Sequence, residues 1–206
     1  METKEYFEYI ADKIHTVIIA TVDENGFPVT CAIDMMDYDE EGLYFLTAKG
    51  KSLYDRLIRK PHIAFTGLKG NSTLESVAVS FKGKVRELGF DKIPDLFDKN
   101  PYMYEIYPNE ESRKSLTVFQ IYEGSGEFFD LSKKPIERSS FVLKQEKEKA
   151  RGYFITDQCI SCGSCLDVCP QSCIISERIP FVIEQEHCLH CGNCFNICPV
   201  SAVERR

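Results

Sequence analysis

No apolar run in this 206-residue chain approaches the roughly 20 residues needed to span a membrane as a helix. A basic stripe and a DNA-reading helix pattern are equally absent. Asp and Glu number 32 against 25 Lys and Arg, for a formal charge of -7, which makes nucleic acid and anionic membranes poor partners. Residues 1–12 are charged and carry no continuous apolar segment of the signal-peptide kind. The expectation is a cytoplasmic protein whose thiols stay reduced. Cysteine is almost missing from the first 158 residues, where Cys31 stands alone, and 206 residues can bury a core without disulfide staples.

The other nine of the ten cysteines crowd into the last 48 residues. Eight of them form two copies of CxxCxxCxxxCP: Cys159, Cys162, Cys165, Cys169 with Pro170, then Cys188, Cys191, Cys194, Cys198 with Pro199. Zinc sites favour separate pairs and have no use for three cysteines at strict three-residue spacing followed by Cys-Pro. A CxxCxxC loop wraps one cubane and offers it three thiolates, while the fourth cysteine of the run ligates the other cluster. The expected ligand sets for two [4Fe-4S] clusters are therefore Cys159, Cys162, Cys165 and Cys198 for one, and Cys188, Cys191, Cys194 and Cys169 for the other. Loaded with two such clusters, each adding about -2, the chain carries roughly -11.

A shift of 29 positions (188 minus 159) superposes the two runs, together with Gly163 on Gly192 and Ser172 on Ser201. Each half reads as a short strand (153–155; 181–183), a cysteine loop, and a short helix starting near Cys-Pro. Residues 151–206 resemble the bacterial two-cluster ferredoxins, and both motifs match that family in full. Cys173 falls on Ala202 in the superposition, which suits a small buried side chain, with a spare cluster ligand as the alternative. His187 and His190 read as solvated loop residues, or as hydrogen-bonding groups that tune a cluster.

The first 150 residues read as one α+β domain. Residues 3–13 have the spacing of an amphipathic helix, with Thr3 as its cap and Phe7, Ile10, Ala11 and Ile14 on one face. Strands are expected at 15–22, 28–35, 43–47, 62–68 and 77–88, with turns at 23–26 and 39–42 and a bulge or bend at Gly83. A helix spans 52–59, and 91–107 forms a helical excursion broken by Pro94, Pro101 and Pro108. A last hairpin is expected to join 116–122 to 127–131 through Gly124-Ser125-Gly126. Few helices and about six antiparallel strands argue for a small closed or split barrel. The charged run 144–151 serves as linker, dividing the chain into 1–147 and 148–206.

Asp23-Glu24-Asn25-Gly26-Phe27-Pro28, the strand to Met36, Gly42 to Thr47, Lys49-Gly50-Lys51-Ser52 and Lys60-Pro61 resemble the FMN-binding split barrel of the pyridoxamine 5'-phosphate oxidase family, over roughly residues 5–130. The resemblance implies an antiparallel split β-barrel, FMN as cofactor, and a flavin site built across a homodimer. It places Thr30, Cys31, Ala32 and Ile33 beside the isoalloxazine, and Leu46, Thr47, Lys49, Lys51 and Ser52 around the phosphate. Free amides at the start of the 52–59 helix suit that role on their own terms. Cys31 is alternatively a plain residue of the barrel wall.

The family's usual strand arginine is replaced by Cys31, its lysine by Met36, and two basic residues after the phosphate turn by Ser52 and Leu53. These losses argue against vitamin B6 oxidation. The expected function is a flavin- and iron-sulfur-dependent oxidoreductase acting on a small-molecule electron acceptor or donor, with a redox protein as a further partner. The alternatives are an electron carrier whose barrel is a docking module for haem or deazaflavin, and a redox sensor. No proton donor is identifiable; Tyr102, Tyr104, Tyr107 and Tyr122 read as core, and His62 as structural.

Overall fold

The computed structural model describes residues 1–145 and 151–206. The boundary at 147/148, and residues 146–150 of the charged linker, lie outside the described residues. Two compact units emerge from the packing. The described residues of the first are 1–71, 77–128 and 140–145; those of the second are 72–76, 129–139 and 151–206.

In the first unit, helix α1 (Thr3–Glu8) passes directly into a wider π-helical turn, Tyr9–Ile14. Its cap is Glu2, in a reciprocal box with Glu5, rather than Thr3. The Thr3 hydroxyl instead donates to Val142 O at 3.0 Å. Tyr6, Phe7, Ile10 and Ala11 are buried, and Ile14 packs against them, so the apolar face is as its spacing requires. His15 ends the helix at a positive φ of 65°.

Strands β1 (Thr16–Val22) and β2 (Pro28–Asp34) form a hairpin pairing Thr16 with Asp34 and Val22 with Pro28. Asp23 Oδ1 holds the turn by accepting from the amides of Asn25 and Phe27. β3 (Asp37–Asp39) turns tightly into β4 (Gly42–Ala48). Helix α2 (Ser52–Arg59) precedes β5 (His62–Lys69) and β6 (Val77–Gly89). Short helices α3 (Ile93–Lys99), α4 (Met103–Ile106) and α5 (Glu110–Arg113) make the proline-broken excursion. They lead to β7 (Leu116–Asp130) and β8 (Glu137–Leu143).

The strand order is β2-β1-β5-β6-β7-β4-β3, with β8 on β7. After β2 the chain reaches across: Met36 N donates to Tyr44 O of β4 at 2.8 Å, bringing the two ends of the sheet path together. This is the split barrel. Its interior holds Phe65 stacked on Phe81 and Phe45 stacked on Phe119, at 5.6 Å in each pair. A second core, with Ile93, Leu96, Phe97 and Met103, covers the other face of β4 through Tyr44. Covered on both faces, β4 is buried or half-buried along its length rather than alternating, and its side chains are apolar apart from the hydroxyls of Tyr44 and Thr47.

The expected hairpin at 124–126 does not exist, because β7 runs unbroken for 15 residues. Its glycines serve close approach rather than turning. A Cβ on Gly124 would stand 2.3 Å from Lys82 O, one on Gly83 2.3 Å from Glu123 O, and one on Gly126 2.3 Å from the Phe141 ring. Gly83 is therefore a crossing point inside a continuous β6.

In the second unit, β9 (Tyr153–Ile155) pairs with β12 (Val203–Arg205), and β10 (Ile174–Ile175) with β11 (Val182–Ile183). Helices α6 (Ser164–Asp167) and α7 (Asn193–Ile197) begin after Gly163 and Gly192, not at Cys-Pro as the sequence suggested. The proline cannot extend a helix and restricts the residue before it, so each helix ends ahead of the fourth cysteine. The 29-residue repeat recurs in the backbone. Ser161 and His190, Gly163 and Gly192, and Ser172 and Ser201 are left-handed in matching pairs.

Candidate cofactor sites

The cysteine loops gather around two small cavities of similar size. Cys159, Cys162, Cys165 and Cys198 line one; Cys188, Cys191, Cys194 and Cys169 line the other. Each cavity thus combines three cysteines of one run with the fourth of the other. The left-handed turns aim backbone amides at sulfur: Ser161 N donates to Cys159 Sγ and His190 N to Cys188 Sγ, both at 3.4 Å. Among the described residues, no three His, Cys, Asp or Glu side chains are placed to hold a single metal ion. Four thiols around a cavity have the chemistry and the spacing of a cubane site.

The two cavities differ in their surroundings. Cys173 is buried at 3 % exposure, lines the second-run cavity and brings its sulfur to 3.6 Å from Cys169 Sγ. A hydrogen bond from Cys173, the His190 amide and the Arg138 guanidinium draw the Cys188 thiol below its ordinary value, against the opposing effect of burial. His187 and His190 are half-buried rather than solvated. Arg138 Nη1 donates to His190 Nδ1 at 2.7 Å, and His187 Nδ1 lies 2.8 Å from Ile136 O. Sequence separation of about 50 residues hid both contacts.

In the barrel, β2 alternates. Cys31 and Ile33 pack against the main core, while Thr30 and Ala32 are exposed on the outer face. Burial pushes the Cys31 thiol up, opposed by the positive charges of Arg56 and Lys51. Lys51 precedes α2, and Lys51 and Ser52 are exposed. Lys49 pairs with Glu87 at 3.9 Å, which partly neutralises it. Leu46 lies against the second core and Thr47 faces the opposite way.

Two buried polar side chains of the barrel lack full compensation. Thr47 is 2 % exposed, yet its hydroxyl has no hydrogen-bond partner. Arg56, one turn after Ser52, is 8 % exposed and donates through Nε to Thr21 Oγ1 at 2.7 Å. Among the described residues no carboxylate pairs with it. A buried guanidinium held by one neutral hydroxyl is costly unless an anion completes it. The sequence reading passed over Arg56 because it sits between Leu53 and Leu57 on the buried face of α2. The i, i+4 relation to Ser52 was the available signal.

Met36, where the family carries lysine, is 6 % exposed in the second core beside Tyr44 and Phe97, an apolar place. Tyr102 is not simply core. Its hydroxyl donates to Asp34 Oδ2 at 2.8 Å and lies 3.0 Å from His15 Nε2, while Thr16 donates to Asp34 Oδ1. Burial, followed by the bond to Asp34, pushes the Tyr102 phenol up.

Comparison with known proteins agrees with this architecture. The chain is similar in fold to a NimC/NimA family protein from Clostridium acetobutylicum, at 14 % identity and TM-score 0.56, covering 69 % of this chain and 95 % of that one. A C. acetobutylicum protein related to general stress protein 26 aligns at 15 % identity and TM-score 0.51, over 68 % and 95 % of the two chains. A heme binding protein from Mycobacterium smegmatis aligns at 12 % identity and TM-score 0.53, over 69 % and 58 %. No curated protein matches. The 4Fe-4S dicluster domain family matches residues 151–200, and the pyridoxamine 5'-phosphate oxidase family matches residues 3–123, more than half of the sequence. The chain belongs to the pyridoxamine 5'-phosphate oxidase family and carries a ferredoxin-type 4Fe-4S domain behind its split barrel.

Proposed function

We propose that the protein is an oxidoreductase in which two [4Fe-4S] clusters exchange single electrons with FMN, and the flavin reduces or oxidises a small molecule. The observation that carries this reading is the pair of uncompensated polar groups in the barrel: Arg56, buried and with no carboxylate partner among the described residues, and the buried Thr47 hydroxyl with no hydrogen-bond partner. Bound FMN would supply the conversion between one-electron and two-electron transfer, and the clusters the one-electron steps. Arg56, Lys51, Ser52 and Thr47 would hold the phosphate, with Lys49 a weaker contributor because Glu87 competes for it. Cys31 and Ile33 would flank the isoalloxazine from the inner face of β2. Cys159, Cys162, Cys165 and Cys198 would ligate one cluster, and Cys188, Cys191, Cys194 and Cys169 the other. Vitamin B6 oxidation is not part of the proposal, since Cys31 and Met36 replace the cations of the family pattern.

A second copy of this chain is the proposed partner of the barrel. Thr30, Ala32, Ile18, Ala64, Thr66 and Ser80 form an exposed patch of uncharged side chains on the outer face of β2, β1, β5 and β6, edged by Lys82 opposite Ala64. That patch adjoins the exposed half of the flavin strand, so one contact would complete both dimer and site. The division at 147/148 and a reducing, cytoplasmic setting belong to the same proposal. Among the described residues no helix is long and apolar enough to cross a membrane.

Anoxically purified full-length protein should contain eight irons and one FMN per chain, with a flavin band that bleaches as the clusters are reduced. A haem Soret band in place of the flavin would support the docking-module reading, which the fold shared with the M. smegmatis protein favours. Protein that takes up neither flavin nor haem would refute both.

A further inference from the structure

The second compact unit contains more than the cysteine repeat. It takes in residues 129–139, a strap that runs from the end of β7 through the connection into the first residues of β8 and lies outside the cysteine repeat. Arg138 lies on this strap with its guanidinium carbon 4.9 Å from the centre of the Phe129 ring. It donates to His190 Nδ1 at 2.7 Å, and the His190 backbone amide in turn donates to Cys188 Sγ at 3.4 Å. Ile136 on the same strap donates to Gln171 Oε1 at 3.3 Å and accepts from His187. The strap therefore fastens at three points around Cys188 and Cys169, and it carries a permanent positive charge there. From within the repeat, the same cavity gains the buried thiol of Cys173, where the other half has Ala202.

The first-run cavity has neutral, smaller counterparts. Ala202 N donates to Cys198 Sγ at 3.2 Å, and Ser164 Oγ lies 3.5 Å from Cys162 Sγ. Cys162 is exposed, so water competes for that second contact. Asn193, at the position of Ser164 in the repeat, donates to Val168 O instead of to sulfur.

We infer that the strap, through Arg138, and Cys173 make the two clusters unequal, with the cluster of Cys188, Cys191, Cys194 and Cys169 the stronger electron acceptor. Reduction adds one negative charge to a cluster, and a nearby guanidinium or an S–H donor to a ligand sulfur stabilises the added charge. One electron from a low-potential one-electron donor enters the pair and settles on the second-run cluster. Exchange between the clusters oxidises one by one electron and reduces the other by one, with no proton moved. The duplicated domain thereby acquires a direction that its sequence symmetry lacks. This inference rests on the two-cluster reading above.

The test is an EPR-monitored dithionite titration of anoxically reconstituted full-length protein. Fewer than eight irons per chain would overturn the two-cluster reading itself, whereas eight irons titrating as a single wave would overturn only the inequality. The expected wild-type result is two separated one-electron waves, the higher of which Cys191→Ser removes or displaces. Arg138→Gln should lower that wave by on the order of tenfold in its reduction equilibrium, equivalent to 59 mV for one electron, and leave the lower wave in place. Arg138→Lys should retain the higher wave, and Cys173→Ala should lower it. Arg138→Gln moving both waves equally, or neither, refutes the role of the strap. If that variant loses its clusters, the wild-type separation and Cys173→Ala still decide.

Discussion

Replacing Arg56 by methionine separates a phosphate ligand from a structural arginine, because the two roles predict opposite signs. Arg56 is 8 % exposed, and the partner of its Nε is a neutral hydroxyl, Thr21 Oγ1 at 2.7 Å. In the flavin-free protein it therefore carries a desolvation cost without ionic compensation. A methionine of similar length removes that cost, and Thr21 keeps its own contact to Val29 O. Flavin-free Arg56→Met should be as stable as the parent or more so. A charge-assisted bond to phosphate contributes about 1.5–3 kcal/mol, so FMN affinity should fall roughly 10- to 150-fold. Riboflavin lacks the phosphate and should bind both proteins alike. Fluorescence titration of deflavinated protein with FMN and with riboflavin reads the difference directly, and thermal melts of the same samples read stability. A variant that loses stability while keeping its preference for FMN would refute the assignment.

Thr47→Val should raise the stability of flavin-free protein by about 1 kcal/mol, since it removes a buried hydroxyl without a partner, and should weaken FMN binding; urea titration with and without FMN checks both signs. Gly42→Ala should destabilise the barrel by more than about 3 kcal/mol. Its Cβ would stand 1.8 Å from Ile121 O at a φ of 142°, and loss of soluble protein or a collapsed urea midpoint would show it. Cys198→Ser should cost the cluster of Cys159, Cys162 and Cys165 and spare the one of its own run. Iron analysis combined with EPR checks this, and loss of the second-run cluster would refute the crossed ligand sets.

The cluster half of the molecule was legible because its chemistry is written in local spacing. Three thiols for one cubane must come from one tight loop, and the duplicated runs state that requirement twice. Strand alternation, the Asp23 turn and the proline-broken excursion were legible for the same reason: each depends on residues within a few positions. The misreading at Gly124 and Gly126 shows the limit. A glycine pair looks like a turn from within its own strand, and only Lys82 and Phe141, brought alongside by the fold, reveal that the missing side chains make room. Met36 reads in the sequence as a lost cation, and packing adds what the sequence could not show, that its place is an apolar core.

The sequence by itself determined a ferredoxin-type domain through cysteine spacing and a small closed or split barrel through strand pattern, which its resemblance to the pyridoxamine 5'-phosphate oxidase family made a flavin-type one. Only the tertiary structure decided which buried polar groups stand without compensation. Arg56 and Thr47 sit on different elements, and nothing in their neighbours along the chain says that one lacks a carboxylate and the other any partner. The asymmetry between the two halves of the repeat arises in the same way. Arg138 lies 52 positions from His190, and a charge acts through distance in space rather than through position in sequence.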